Sequence, residues 1–467
     1  MKRRDALRTI GALGATALAP LAADSIAATK RGKSIVDKIV LGDSFFLSKT
    51  NPTATTDQLE LEQLALKLMQ MPLVRQARIQ AGQRFKVMAG RDIPPEGLMD
   101  FDGKMEEWAW HYTLMAVNSD PNYPKVLSHD YGPPHEWFGL KVPGGRGPGT
   151  AENVDNQYSL VPIDPNARYE LHGQRLSPAI GDNPLHLVTC LSMAMNAASF
   201  DSRDIQYKPD GGFVMTIDRD PANGRTNHIQ STIDTRYLFI RDARIDWRQT
   251  PNAYRVRRID PPDKPRLTVQ QMAETAARFI VDDVPMNFFF SQMIRVLDVN
   301  TAAQPAASNL FGGQPLQKLG RGHLKLADDE AFVLTVSPGG SEYWVLILYD
   351  FWLMSGNYWS RTSTMNNMQS ITNADGSHSY VFSIRDPGVH NWIDTLGLHE
   401  PMFLLRLQRL PRNPDGSYGG TPSTKGELVK LKDLERVLPA ETKWVTPEER
   451  KQQIADRLAA FNGRFVI

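Results

Sequence analysis

Apolar positions recur at helical spacing between Thr56 and Arg84, where Leu59, Leu61, Leu64, Leu66, Leu68 and Met69 alternate with Glu, Gln and Lys behind a polar Thr-Thr-Asp opening. Residues three and four apart share a helix face, so the spacing predicts an amphipathic helix there. Met105–Ala116 predicts another. From Asn118 to Arg146 the periodicity dissolves into Pro, Gly and aromatics (DYGPPHEWFG, VPGGRGPG), which predicts a long loop of the kind that carries function. Strand-like texture begins at NQYSLVPID and RYELHG, gives way to an apolar stretch from Leu185 to Ala198 read as helix, and resumes with GGFVMTID and RYLFIRDARIDW. Thr268–Leu297 is helix-like and apolar toward its end. From Ala331 onward short apolar runs (FVLTV, YWVLILYDFWL, NMQSIT, HSYVFSI, PMFLLRLQRL) alternate with SPGG, NADGS and RDPG turns, the mark of successive strands. The tail TPEERKQQIADRLAAF predicts a capped surface helix.

These elements predict an α+β fold: a helical N-terminal part followed by a C-terminal antiparallel β-sheet or β-sandwich. The expected segments are 1–28, 29–150 (helical), 151–262 (mixed), 263–440 (the β domain with its preceding helix) and 441–467 (the last helix), with boundaries favoured in IDPPDKPR or NTAAQPAASN.

The first residues change the picture of where the chain works. Arg3 and Arg4 precede a weakly apolar run from Ile10 to about Ala23 that ends among small residues, the pattern of a cleavable twin-arginine signal and hence of periplasmic localisation. That run is too short and too rich in Gly and Ala for a stable membrane span, which needs roughly 20 strongly apolar residues. The one cysteine, Cys190, lies in an apolar stretch and reads as a buried, inert thiol, so no internal disulfide and no cysteine-based metal site is expected. With 53 Lys and Arg against 52 Asp and Glu, the net charge of +1 offers no electrostatic case for nucleic acid. The expected partner is a small molecule; the sequence leaves cofactor and oligomeric state unknown.

P-loop, GxGxxG, GxSxG and HExxH signatures are absent. Two clusters stand out instead. In YDFWLMSGNYWSRTSTMNNMQ, Tyr349, Trp352, Tyr358 and Trp359 interleave with Asn357 and other amides, which suits a pocket stacking a flat or sugar face and equally suits a sandwich core. In RDPGVHNWIDTLGLHEPMFLLRLQ, a turn delivers Asp386, His390, Asn391, Trp392 and Asp394 ahead of a strand ending in Arg406. The catalytic reading gives proton transfer to Asp386, His390 and Asp394, and charge stabilisation to Arg406 or Arg241. The ligand-binding reading takes Tyr349, Trp352, Asn357, Tyr358, Trp359, Asn391 and Trp392. The structural alternative makes the aspartates caps and Trp392 a core plug. The spacing His390, Asp394, His399 fits no standard helical ligand motif, and no metal is expected.

DPGVHNWIDT with its following strand, GNYWS, RYLFIRDARIDW and DNQYSLVPIDPNARYELHG together resemble the bacterial family called domain of unknown function 1214, in patches from about Asp155 to Arg409. Ile393 stands where Leu is usual, and His399 and Glu400 depart from the family's pattern after its Asp-Thr. The resemblance implies a jelly-roll-like C-terminal sandwich and no agreed activity. Two functions are therefore expected to compete. One is an exported enzyme acting on a neutral apolar or polyhydroxylated small molecule by cofactor-independent acid/base chemistry, of hydrolase, lyase or hydratase type. The other is a non-catalytic glycan- or lipid-binding envelope protein.

Overall fold

The structure, a computed structural model, describes residues 45–48, 50–99, 101–129, 135–143, 151–177, 185–188, 196–307 and 316–465. The signal segment 1–28 and Cys190 lie outside the described residues. Thr55 opens the first helix: its side-chain oxygen accepts from the Gln58 backbone N–H at 3.1 Å, satisfying one of the donors a helix start leaves over. Helix α1 (Thr56–Met69) ends at Gln70, and α2 (Pro72–Ala89) restarts on Pro72. The single helix expected over Thr56–Arg84 is thus two, because proline lacks the N–H a helix interior needs and fits the first turn instead. Helix α3 (Phe101–Val117) is buried along nearly its whole last three turns, as an element apolar on all sides must be. Helices α4 (Val269–Asp283) and α5 (Asn287–Arg295) divide the expected Thr268–Leu297 helix at Pro285 in the same way. No described helix is long and apolar enough to cross a membrane.

The strands form mostly antiparallel sheets. One orders β1 (Leu127–Ser128), β4 (Asn156–Pro162), β10 (Tyr237–Ala243), β6 (Leu185–Val188) and β7 (Asn196–Phe200); a second orders β11 (Ala253–Arg258), β5 (Tyr169–Gln174), β8 (Gly212–Asp218) and β9 (His228–Gln230). Val161, Leu187, Leu238 and Ile240 of the first meet Leu171, Met215 and Ile217 of the second in one apolar cluster. The opposite face of the first sheet, with Leu160 and Tyr237, packs on the helices. Further along, β12 (Ala303–Ala307), β13 (Lys318–His323), β19 (Met402–Gln408), β15 (Tyr343–Tyr349) and β16 (Thr364–Asn366) form a sheet in that order. It faces another ordered β18 (Trp392–Asp394), β17 (His378–Ser383), β14 (Glu330–Ser337) and β20 (Ser423–Lys430) across a shared core.

Strand β15 is buried on both faces: Trp344, Leu346 and Leu348 enter that shared core, while Tyr343, Val345, Ile347 and Tyr349 meet Val154, Ile245, Trp247 and Phe461 on the other side. Strand β19 alternates likewise, which puts Arg406 on the second face with Met402 and Leu404. The last helices are α6 (Leu434–Val437) and α7 (Pro447–Asn462); Thr446 and Glu449 close a capping box on α7, as the tail pattern predicts.

Two element assignments change. Leu185–Ala198 is not a helix in its described parts, which are β6 and the start of β7; pairing with β10 overrides the helix-forming composition. The NMQSIT run, 367–372, is not a strand: it begins in the turn that follows β16, where the Asn366 side chain accepts from Met368 and Gln369 backbone N–H groups at 3.0 and 3.1 Å. The loop expected over 118–146 carries β1 and a short hairpin, β2 (His135–Trp137) with β3 (Leu140–Val142), turned by Phe138 and Gly139, both at positive φ.

Candidate active site

The DPGVHNWIDT corner folds as a turn into a strand, but its polar groups face three different partners. Asp386 is exposed and accepts from Nε and Nη2 of Arg450 from α7, at 2.9 and 3.2 Å. His390 bonds through Nδ1 to Asn391 Oδ1 at 3.2 Å and meets Gln453 with Nε2 at 3.4 Å; burial, first among its influences, pushes its pKa down. Asp394 is buried, pairs with Arg361 and accepts from the Leu396 N–H at 2.8 Å. Among the described residues no hydrogen bond joins His390 to either aspartate. The Asn391 side chain behaves as a strand neighbour, accepting from Ile371 N and donating to Ile371 O at 2.8 Å each. Trp392 donates to Ser383 O at 3.2 Å beneath the Arg450 guanidinium.

The aromatic segment is interior in the same sense. Trp352 donates to Gly97 O at 2.6 Å and packs edge-on to Phe85, Phe101 and Phe351, plugging the helical layer. Tyr358 lies between Trp247 and Phe461, Trp359 stacks on Phe461 at 5.9 Å, and Asn357 is exposed. The aromatics therefore fill core, while Asn357 stands at the surface.

Two of the expected residues do come together at the face of β15 and β19 that meets residues 151–155. The Tyr349 hydroxyl donates to Glu152 O, and the Arg406 guanidinium donates to Ala151 O. The Glu152 carboxyl is buried, receives Ser355 Oγ on one oxygen and has no hydrogen-bond partner among the described residues on the other. Burial pushes it up to about 8, against the pull of Ser355 and Arg406. Asp155 next to it takes Trp247 Nε1 at 2.7 Å, Tyr343 Oη at 2.8 Å and Asn366 Nδ2 at 3.0 Å, and burial raises it too. Arg241, on β10, lies elsewhere, 4.9 Å over the Phe239 ring, which stacks on Tyr158 and His129.

The arrangement best suited to proton transfer was not singled out in the sequence. On α1, Gln58 and Glu62 occupy one face at i, i+4 spacing and are linked at 2.9 Å. Gln58 reads the Ser128 backbone of β1 both ways, at 2.6 and 2.9 Å, which fixes the helix against the sheet. In the β2–β3 hairpin, His135 and Trp137 are two apart and so share a face. That face meets Glu62: Trp137 Nε1 donates to Oε2 at 2.7 Å, and His135 Nε2 stands 3.9 Å from Oε1. Burial pushes Glu62 up to about 7, with the Gln58 and Trp137 bonds opposing. The carboxyl lines a cavity of about 20 Å³ together with Trp110, Gln157 and Arg464, enough for a water molecule.

No family model matches the chain, and no curated protein matches it. Among solved structures, an uncharacterised protein from Burkholderia cenocepacia superposes with a TM-score of 0.63 at 22% identity, over 79% of this chain and 100% of that one. At that identity the likeness speaks for the fold alone. The VPA0106 protein from Vibrio parahaemolyticus aligns over 78% of this chain and 99% of its own at 12% identity, with a TM-score of 0.37.

Proposed function

We propose that the protein is an exported enzyme that acts on a neutral, apolar or polyhydroxylated small molecule by acid/base chemistry in which water is added or removed, with Glu62 as the proton-transferring group and His135 as its neighbour. The observation that carries the reading is the Glu62 carboxyl, buried, poised at about 7 and facing a water-sized cavity beside an imidazole. A carboxyl near neutrality gives and takes a proton with comparable ease, which is what general acid/base work requires. Trp110 and Trp137 supply apolar walls, and Arg464 supplies a positive charge where an oxyanion would develop.

Export rests on Arg3, Arg4 and the short apolar run; membership of the domain of unknown function 1214 family rests on DPGVHNWIDT and its companions. The finer architecture we propose, a helical N-terminal part with a jelly-roll-like C-terminal sandwich, is supported by three helices between 56 and 117 and by two sheets sharing one core.

The test compares wild type with Glu62→Gln on fractionated envelope extract, followed by mass spectrometry. The amide keeps the shape and the Trp137 side of the site but has no group that ionises near neutral pH. Turnover of one component by wild type, with retention but no turnover by the variant, is the expected result. Equal turnover by both overturns the assignment. The separate surroundings of Asp386, His390 and Asp394 favour the second reading, a non-catalytic glycan- or lipid-binding protein; retention of the same component by both proteins with turnover by neither establishes it.

A further inference from the structure

We propose that water reaches the Glu62 carboxyl through a second cavity beside its own, and that the Gln157 side chain, standing between the two, positions and passes it. Resting on the assignment of Glu62 as the proton-transferring group, the route supplies what chemistry that adds or removes water needs at the carboxyl. The second cavity measures about 20 Å³, room for a water molecule. It shares Thr53, Ser128 and Gln157 with the cavity at Glu62 and no other described lining residue. Those three residues are therefore the partition between the two.

Strand β4 makes the partition polar. Gln157, Ser159 and Val161 are two apart and share a face. Val161 enters the apolar cluster between the two middle sheets, whereas Gln157 and Ser159, buried on the same face, are polar. Buried polar groups take partners. Gln157 Nε2 donates to Ser128 Oγ, but the Ser159 hydroxyl has no hydrogen-bond partner among the described residues. Arg255 donates through Nη1 to Asp57, and its buried Nε likewise has no partner among the described residues. Ser159 and Arg255 line the second cavity together with Asn252 and Tyr254, so a water there meets the roughly two to four polar groups that hold one in place. On the outer side, Asp57 also takes Lys125 Nζ at 3.2 Å, and the Arg255 guanidinium lies 4.7 Å over the Phe45 ring. Asp57, Val126 and Arg255 are half-buried, which makes this rim the side toward solvent. On the inner side, Gln58 holds both the Ser128 backbone and Glu62. From solvent inward the order is Asp57 and Arg255, then Gln157 with Ser128, then Glu62. An amide has donors and an acceptor, so Gln157 can bond a water on either side of it.

The experiment reads hydrogen exchange at tryptophan indole N–H groups by NMR in the intact chain. Trp137 Nε1 donates to Glu62 Oε2 at 2.7 Å, so its proton exchanges only when water reaches that cavity; Trp137→Phe identifies its signal. Trp352, whose Nε1 is bound to Gly97 O in the helical layer, is the internal reference. Gln157→Ala, which removes the partition, should speed exchange at Trp137 several-fold. Gln157→Leu, which keeps the bulk without a polar end, and Ser159→Val, which fills the second cavity with apolar atoms, should each slow it several-fold. Trp352 should not change in any of them. A substitution that merely loosened the fold would speed exchange whatever its size, and at both tryptophans. Unchanged exchange at Trp137 in all three variants, a change in the same direction in all three, or a parallel change at Trp352 overturns the proposal. The readout needs no substrate: its failure removes the route and leaves Glu62 to the comparison with Glu62→Gln, while failure of that comparison alone leaves a hydration path to a buried carboxyl.

Discussion

Glu62 and Glu152 are carboxyls that water hardly reaches, and each holds its proton far longer than an exposed glutamate does: burial takes them from 4.5 to about 7 and about 8. A folded-state pKa above the unfolded value means that, between the two, the unfolded chain releases a proton the folded chain keeps. Stability therefore falls as pH rises through that window, by roughly 1.4 kcal/mol per pH unit for each group fully within it. Buried histidines such as His111 and His129, held neutral by burial, act in the opposite sense at the lower end of this range and are common to both proteins, so the test is the difference: Glu152→Gln, which cannot ionise, should lack this loss and melt higher than wild type at pH 8. Parallel profiles for the two proteins would contradict the burial of an uncharged Glu152. Arg406 and Tyr349 were legible in the sequence as residues that matter, though Arg406 as a stabiliser of developing charge and Tyr349 as part of an aromatic pocket, and not as neighbours of Glu152. Glu152 itself follows a Gly- and Pro-rich stretch with no periodicity to mark it. Glu62 left a fainter trace: with Gln58 it is a polar pair at i, i+4 beside a leucine stripe, and only a hairpin more than seventy residues away gives that pair a purpose.

At the scale of elements, two strand glycines lie directly under aromatic rings of the neighbouring strand, Gly173 beneath Phe213 and Gly322 beneath Phe403. Each ring covers the backbone that the missing side chain exposes. A methyl group at 322 would strike the Phe403 ring and come within 2.6 Å of Thr301 O. Gly322→Ala should accordingly cost about 1–3 kcal/mol in a denaturant melt; an unchanged midpoint would mean that the ring swings aside freely. The same sheets show what patterning reveals and what it hides. Strands β15, β17 and β19 announce themselves as apolar runs because they are buried on both faces, whereas β20 is an exposed polar edge and offers no alternation to read. The DPG turn is legible, yet its purpose is not: the Arg450 and Gln453 that occupy Asp386 and His390 arrive from α7, some sixty residues on.

For the molecule as a whole, the helical layer, the middle sheets and the last sheets are joined by polar ties, not by apolar contact alone. Trp247 to Asp155, Tyr343 to Asp155 and Arg457 to Gln369 cross between segments that are distant in sequence. The export proposed above would bear on this assembly, since a twin-arginine route carries folded chains. Replacing Arg3 and Arg4 with Lys should retain the precursor inside the cell, as fractionation and immunoblotting would read, and normal delivery in a strain without the twin-arginine translocase would refute that route. One tie sets a clock. Asn51 Nδ2 donates to Arg464 O at 2.6 Å across 413 residues of chain, and Arg464 also walls the cavity at Glu62. At about 5–20 residues per second, a ribosome needs roughly 25–90 s to reach that arginine. Until then the helix bearing Glu62 lacks one wall of its cavity, so the chemistry proposed for that carboxyl would have to wait for Arg464 to arrive.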